Sequence, residues 1–218
     1  DKCAGSTAVN FSVDVTNAVY PVGPTDLNWV INYTDPTGTI TGSFTGTGNG
    51  NFPFTTGAAL AVGTYTISLN SIALVSPSGA LTHPTCSKTL TGQSKVIRVY
   101  PNPTATLSST SGTACEGSTP SSFNLQVSNA VLGATNLAWS VSFDAANCTF
   151  QAAATGSPVS VSTALTSVFP STGSGNGNTT FTPPSNLPPG RYVIVIDKIT
   201  LANTPSCFTG SLGLTYTL

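Results

Sequence analysis

The feature that most constrains this chain is that it says the same thing twice. Cys3, Gly5, Ser6, Thr7, Phe11, Val13, Val15, Asn17, Ala18 and Val19 recur as Cys115, Gly117, Ser118, Thr119, Phe123, Leu125, Val127, Asn129, Ala130 and Val131, always 112 positions later. Leu27 and Trp29 return as Leu137 and Trp139 after 110 positions. Gly48-Asn49-Gly50-Asn51, Phe54, Gly63, Tyr65, Ile67, Ile72 and Leu74 return as Gly175-Asn176-Gly177-Asn178, Phe181, Gly190, Tyr192, Ile194, Ile199 and Leu201 after 127. Cys86 is answered by Cys207 after 121. The step from 110 to 127 puts an insertion of roughly 17 residues between Trp139 and Gly173 of the second copy. A period near 110 residues is that of a whole small domain, too long for a solenoid unit. The chain therefore reads as two tandem domains of one fold, residues 1–100 and 104–218, joined at 101–103.

Strand signals dominate both copies. Phe11, Val13 and Val15 alternate with Ser12 and Asp14, the pattern of an antiparallel strand with one buried face. Similar runs, Asn28 to Tyr33, Thr64 to Leu69, Lys95 to Tyr100, Ser122 to Val127, Ala138 to Phe143, Arg191 to Ile196 and Leu212 to Leu218, are bounded by Gly, Pro and Asn. No helical period stands out. Short strands punctuated this often predict an all-β chain of two tandem immunoglobulin-like β-sandwiches. Trp29 and Trp139 are expected in the two cores, with ligand stacking as the competing role. Tyr65 and Tyr192, each two residues after a Gly at the start of a late strand, are expected to be corner tyrosines bonded to the backbone. The Gly-Asn-Gly-Asn segments lack the Lys and the helix of a phosphate cradle and read as two-residue hairpin turns.

Charged residues make up 6% of the chain, with a net charge of −1, against a usual fraction near 25%. So few ionic groups give no field to steer a polyanion, which excludes nucleic acid as an expected partner. The same lack of repulsion makes self-association easy. No run of about 20 apolar residues exists, so no membrane span is expected. The chain enters the domain pattern directly, without a Met, as a processed or excised segment would. Catalysis and metal binding lack their usual groups: the seven acidic residues are scattered, His83 is the sole histidine, and no nucleophile-elbow or calcium-loop series occurs. No enzyme activity, cofactor or metal is expected.

Each copy has one Cys near its start and one near its end. The economical reading is one disulfide per copy, Cys3 with Cys86 and Cys115 with Cys207, in an oxidising compartment; zinc ligation is the competing reading. Cys148, in the insertion, is left over as a buried thiol or an intermolecular partner. Pro101-Asn102-Pro103 is a stiff junction, and Thr104 to Ala114 after it reads as an opening strand that the first copy lacks, as in a chain cut from a longer array or a first copy with an uncovered sheet edge. Four Asn-X-Ser/Thr sequons, at Asn10, Asn32, Asn147 and Asn178, are frequent by chance in so Asn- and Thr-rich a chain.

The order of these motifs, C-x-G-S-T at each opening, G-x-Y-x-I late in each copy, a later Cys, then V-x-V-Y-P-N-P-T-A-T, resembles the PKD-like and immunoglobulin-like tandem repeats of very large Bacteroidetes cell-surface adhesins, including gliding-motility adhesins. The resemblance covers essentially the whole chain and departs from the family at the missing first strand and at the insertion. It implies a secreted, surface-displayed, non-catalytic structural or adhesive segment. Two alternatives accompany it. An uncovered sheet edge in the first copy would suit a self-assembling filament subunit joined by strand complementation. Aromatics such as Tyr20, Tyr33 and Phe169 would suit a module that binds surface glycans.

Overall fold

β-branched and aromatic residues alternating with Thr, Ser and Asn favour extended backbone with one apolar face, and the chain folds accordingly. The computed structural model describes residues 1–5, 10–19, 26–34, 41–55, 60–75, 86–115, 118–144, 146–152, 157–160, 172–183, 187–202 and 205–218. These form two units, Lys2 with Ala4–Val99, and Asp1 and Cys3 with Tyr100–Leu218. Pro101 and Pro103 are buried within the second unit, and the Thr209 hydroxyl donates to the Pro103 carbonyl. The two prolines thus belong to a domain, where the sequence reading had them as a spacer.

The strands of the first unit are β1 (Lys2–Cys3), β2 (Asn10–Val15), β3 (Asn28–Thr34), β4 (Thr41–Thr47), β5 (Gly50–Thr55), β6 (Gly63–Leu74), β7 (Ser87–Thr89) and β8 (Ser94–Tyr100), of which the end residues Cys3 and Tyr100 count with the second unit. One sheet runs β1-β8-β6-β3-β4 with β7 also on β6; the other is the pair β2-β5. Among the described residues its core lies in two clusters of buried side chains, Tyr33, Phe54, Ile67, Ile97 and Val99 in one, Val15, Ala18, Trp29 and Ile31 in the other, with the partly buried Val13, Phe44 and Leu69 packed against both.

The second unit follows the same plan with additions. Its strands are β9 (Thr104–Leu107), β10 (Phe123–Ser128), β11 (Val131–Leu132), β12 (Thr135–Asn136), β13 (Ala138–Phe143), β14 (Thr149–Ala152), β15 (Val159–Ser160), β16 (Thr172–Ser174), β17 (Gly177–Phe181), β18 (Gly190–Leu201) and β19 (Leu214–Thr217). One sheet runs β15-β14-β18-β13-β16 with β19 on β18, and the other runs β17-β10-β9. β14 and β15 are the product of the insertion. They extend the sheet beside the first half of β18, pairing Thr149 with Val193 and Ala152 with Gly190. The core is a single cluster built around Phe123, Leu125, Val127, Trp139, Phe181, Ile194, Ile196, Ile199, Leu201 and Tyr216.

The agreement between the copies reaches single hydrogen bonds. The central strands β6 and β18 have the same length, and both pair with their neighbour through a register shift, at Asn32/Tyr33 and at Ser142/Phe143. Asn17 and Asn129 both take positive φ, 63° and 59°, a conformation that Asn tolerates better than most residues. The Trp29 and Trp139 indoles are 0% and 2% exposed, and each donates its Nε1–H at 3.0 Å, to the carbonyls of Gly48 and Gly175. Asn49 Oδ1 accepts the Ala18 N–H at 2.7 Å, and Asn176 Oδ1 accepts the Ala130 N–H at 2.8 Å.

These bonds correct the reading of Gly-Asn-Gly-Asn as hairpin turns. β4 pairs with β3 and β5 with β2, so Gly48-Asn49 carries the chain from one sheet to the other; Gly175-Asn176 does the same between β16 and β17. A hairpin satisfies its backbone across its own two strands. Here the Asn side chain and the Trp indole satisfy the corner instead. Gly48 and Gly175, at φ of 70° and 68°, supply the left-handed turn.

Gly46 and Gly173 sit opposite Trp29 and Trp139 in the ladder, and a Cβ at either would overlap the indole. Gly173→Ala is therefore expected to displace Trp139 and destabilise the second unit by about 1–3 kcal/mol, read as a lower urea midpoint and a changed Trp emission. An unchanged midpoint would show that the indole has room to move.

Candidate functional site

The cysteines pair differently from the expectation. Cys3 is bonded to Cys207, with Cα atoms 5.4 Å apart and a sequence separation of 204, while Cys86 and Cys115 are exposed free thiols. The pairings Cys3–Cys86 and Cys115–Cys207 are thereby overturned. A repeat shows which cysteines are equivalent, but four cysteines allow three connectivities, and only position in the fold chooses among them. Cys207 is 1% exposed in the core of the second unit, where Cys3 also packs. Cys86 and Cys115 lie at the surface, without that wall. Closing so long a loop removes on the order of 5 kcal/mol of chain entropy from the unfolded state.

Cys148 is a buried free thiol. The Val195 N–H donates to its Sγ at 3.3 Å, and the Sγ–H reaches the Val195 carbonyl at 3.7 Å. Burial pushes the thiol above its ordinary pKa, and the nearby Asp144 carboxylate adds to the rise. An Asx turn leads into this thiol: Asp144 Oδ1 accepts the N–H groups of Ala146 at 2.9 Å and Asn147 at 3.2 Å, and Asn147 Nδ2 donates to Oδ2 at 2.6 Å. These bonds, that of the Asn147 side chain foremost, hold the carboxyl below the usual range.

The tyrosines occupy matching corners. Tyr65 donates its hydroxyl to the Ala61 carbonyl at 3.0 Å, and Tyr192 to the Pro188 carbonyl at 2.9 Å, in each case four residues back along the chain. Tyr216 stacks on Phe123 with ring centroids 4.1 Å apart and donates to the Ser121 carbonyl at 3.2 Å. Tyr33, a candidate for sugar stacking, packs among Phe11, Phe44 and Phe54 in the first core and offers no open ring face. Tyr20, Phe169 and His83 lie outside the described residues. Among the described residues no three His, Cys, Asp or Glu side chains gather as a metal-holding set, and no helix is long and apolar enough to cross a membrane.

The surface feature that stands out is the outer edge of β2. In the second unit the equivalent strand β10 lies between β17 and β9. In the first unit β2 pairs with β5 alone, and no described strand lies on its other edge. Two grooves open along that side, of 480 Å³ and 540 Å³, sharing Val13, Asp14, Leu69 and Gln93 in their walls. The side chains register the difference: Phe123 and Leu125 are fully buried, whereas their counterparts Phe11 and Val13 are only partly so.

Thiol labelling of the native, unreduced chain is expected to modify Cys86 and Cys115, spare Cys148 until denaturant is added, and leave a Cys3–Cys207 peptide in a digest. Recovery of Cys3–Cys86 and Cys115–Cys207 peptides instead would restore the copy-internal pairing. Burial raises the Tyr192 and Tyr216 phenols above their ordinary pKa. Each neutral phenol thus contributes stability that is complete below the unfolded value of about 10 and lost as pH rises through the folded value. Ultraviolet titration should show two late-ionising phenols, one of which disappears in Tyr192→Phe and the other in Tyr216→Phe.

No model of a protein family matches the chain, and no curated protein matches it. Among solved structures, CBD12 from CALX1.2 is similar at 9% identity and a TM-score of 0.30, over 93% of this chain and 78% of that one. The calcium binding domain CBD12 of CALX1.1 is similar at 8% identity and the same TM-score and coverage. A likeness this distant carries no ligand or activity across to the chain described here.

Proposed function

We propose that this chain is a non-catalytic structural or adhesive segment of an extracellular surface protein or appendage, of the PKD-like tandem-repeat kind found in Bacteroidetes adhesins. The observation that carries the reading is the use made of the repeated residues. Trp29 and Trp139, Tyr65 and Tyr192, and Asn49 and Asn176 are all engaged in holding sheets and corners together. What was kept in both copies is a scaffold. A reaction centre would have left its own signature, a repeated polar group aimed into a cleft, and the polar atoms of these six repeated side chains are turned to backbone instead.

The disulfide supports an oxidising location, and a surface with few charged groups suits a unit that meets other surfaces without electrostatic selection. The finer assignment to a surface adhesin rests on the motif order shared with that family. An antibody raised against the chain is expected to label intact, unpermeabilised cells of the source organism, and brief protease treatment of those cells should remove the label. Labelling that appears only after permeabilisation would overturn the surface reading.

A further inference from the structure

We propose that the open edge of β2 is an acceptor site for an extended segment of the Thr104–Leu107 kind supplied by another copy of this repeat, which would pair with β2 in a defined register. The second unit shows how such a segment sits. β9 pairs antiparallel with β10, setting Leu107, Thr106, Ala105 and Thr104 opposite Leu125, Gln126, Val127 and Ser128. Beyond β9 the Ser108 N–H donates to the Asn124 carbonyl at 2.9 Å, and the Ser108 hydroxyl oxygen accepts the Asn124 N–H at 2.9 Å. The chain then crosses to β19, where the Thr217 N–H donates to the Thr110 carbonyl and the Gly112 N–H to the Thr217 carbonyl, both at 2.9 Å. Residues 104–112 are thus a strap across both sheets, and the buried Ala105 fills the core between them.

In the first unit the receiving surface is present, and no described strand lies on it. By the constant interval of 112, Val13, Asp14, Val15 and Thr16 stand where Leu125, Gln126, Val127 and Ser128 stand. An incoming Leu, Thr, Ala and Thr would therefore lie opposite Val13, Asp14, Val15 and Thr16. In an antiparallel ladder alternate residues direct their N–H and C=O to opposite edges. Asn124 bonds toward the strap, so its counterpart Ser12, and with it Asp14 and Thr16, faces the open edge. The two grooves that flank Val13 lie where the strap's apolar side chains would enter, and Val13 and Leu69, which line both grooves, also pack against both core clusters of the first unit. Lys95 pairs with Ile67 at the place where Tyr216 pairs with Ile194, so the groove has a flexible cation at its rim where the second unit has a packed ring.

Main-chain pairing gives such a site its affinity, and the alternate side chains give it selectivity. The required occupant is extended and uncharged, with a small and then a larger apolar residue two positions apart, as in Ala105 and Leu107. The inference rests on the geometry of the first unit and goes beyond the surface reading, so either can fail without the other.

The test adds a synthetic peptide of residues 101–112 to the full 218-residue chain and follows backbone amides by NMR hydrogen exchange. The expected result is saturable one-to-one binding that slows exchange at Ser12, Asp14 and Thr16 and leaves Phe11, Val13 and Val15, already paired with β5, little changed. A peptide carrying Ala105→Asp and Leu107→Asp should bind at least about tenfold more weakly, a comparison that leaves the folded chain untouched. No saturable binding, equal binding of the charged peptide, or protection on another edge would each overturn the proposal. So would pairing of the same three amides in a dimer of the chain alone, which would make β2 of a second copy the occupant.

Discussion

Each unit depends on one buried indole and the corner it holds. Trp29 and Trp139 lie between the two sheets of their sandwiches, and their single polar atom must find a partner there, since an unpaired buried donor costs about 1–3 kcal/mol. The partner is the carbonyl of the glycine at which the chain leaves one sheet for the other. The bond thus ties the filling of the core to the path of the backbone. Removing a Trp from such a core costs about 3–5 kcal/mol, a large part of the 5–15 kcal/mol that a domain has. The glycines opposite the rings, Gly46 and Gly173, are small for the same reason: the indole lies flat over them.

The two units share this frame and differ in how completely it is closed. The second has the strap of residues 104–112, a stacked pair in Phe123 and Tyr216, the inserted strands β14 and β15, and the disulfide against its core. Among the described residues its buried hydrophobic side chains, Cys148 apart, form one cluster. The first has the corner, the central strands and the tyrosine, and among the described residues its second sheet is the pair β2-β5 and its core lies in two clusters joined by the partly buried Val13, Phe44 and Leu69. An edge with no strand beside it lacks both the ladder bonds and the side chains that a strand would insert. The grooves beside Val13 and the partial exposure of Phe11 lie along such an edge.

The strand pattern was legible because alternation is local. Asn10 to Val15 and Ala138 to Phe143 were read with the boundaries they have in the fold, and the corner tyrosines were legible because a Gly and a Tyr two residues apart recur at one interval. β4, β5, β16 and β17 were not marked out, since Thr, Gly and Asn fill them and their signal resembles a loop. The glycine-asparagine corners were placed but misread. Asn-Gly between extended runs has the same local chemistry whether the strands pair with each other or with different sheets, and the side-chain bond from Asn49 to Ala18 spans residues far apart in sequence. An Asn that returns beside the same Gly in both copies, each of which also has its Trp, was the available signal.

By itself the sequence determined that there are two domains of one kind, that both are built of strands, and which residues correspond between them, because duplication and alternation are written along the chain. The tertiary structure decided which cysteines join, which sheet each strand enters, and which edge has no described strand beside it. Those are matters of distance between residues remote in sequence. Equivalent cysteines such as Cys86 and Cys207 share a motif, yet one faces solvent and the other a packed core, and the physical difference lies in the strands that surround them.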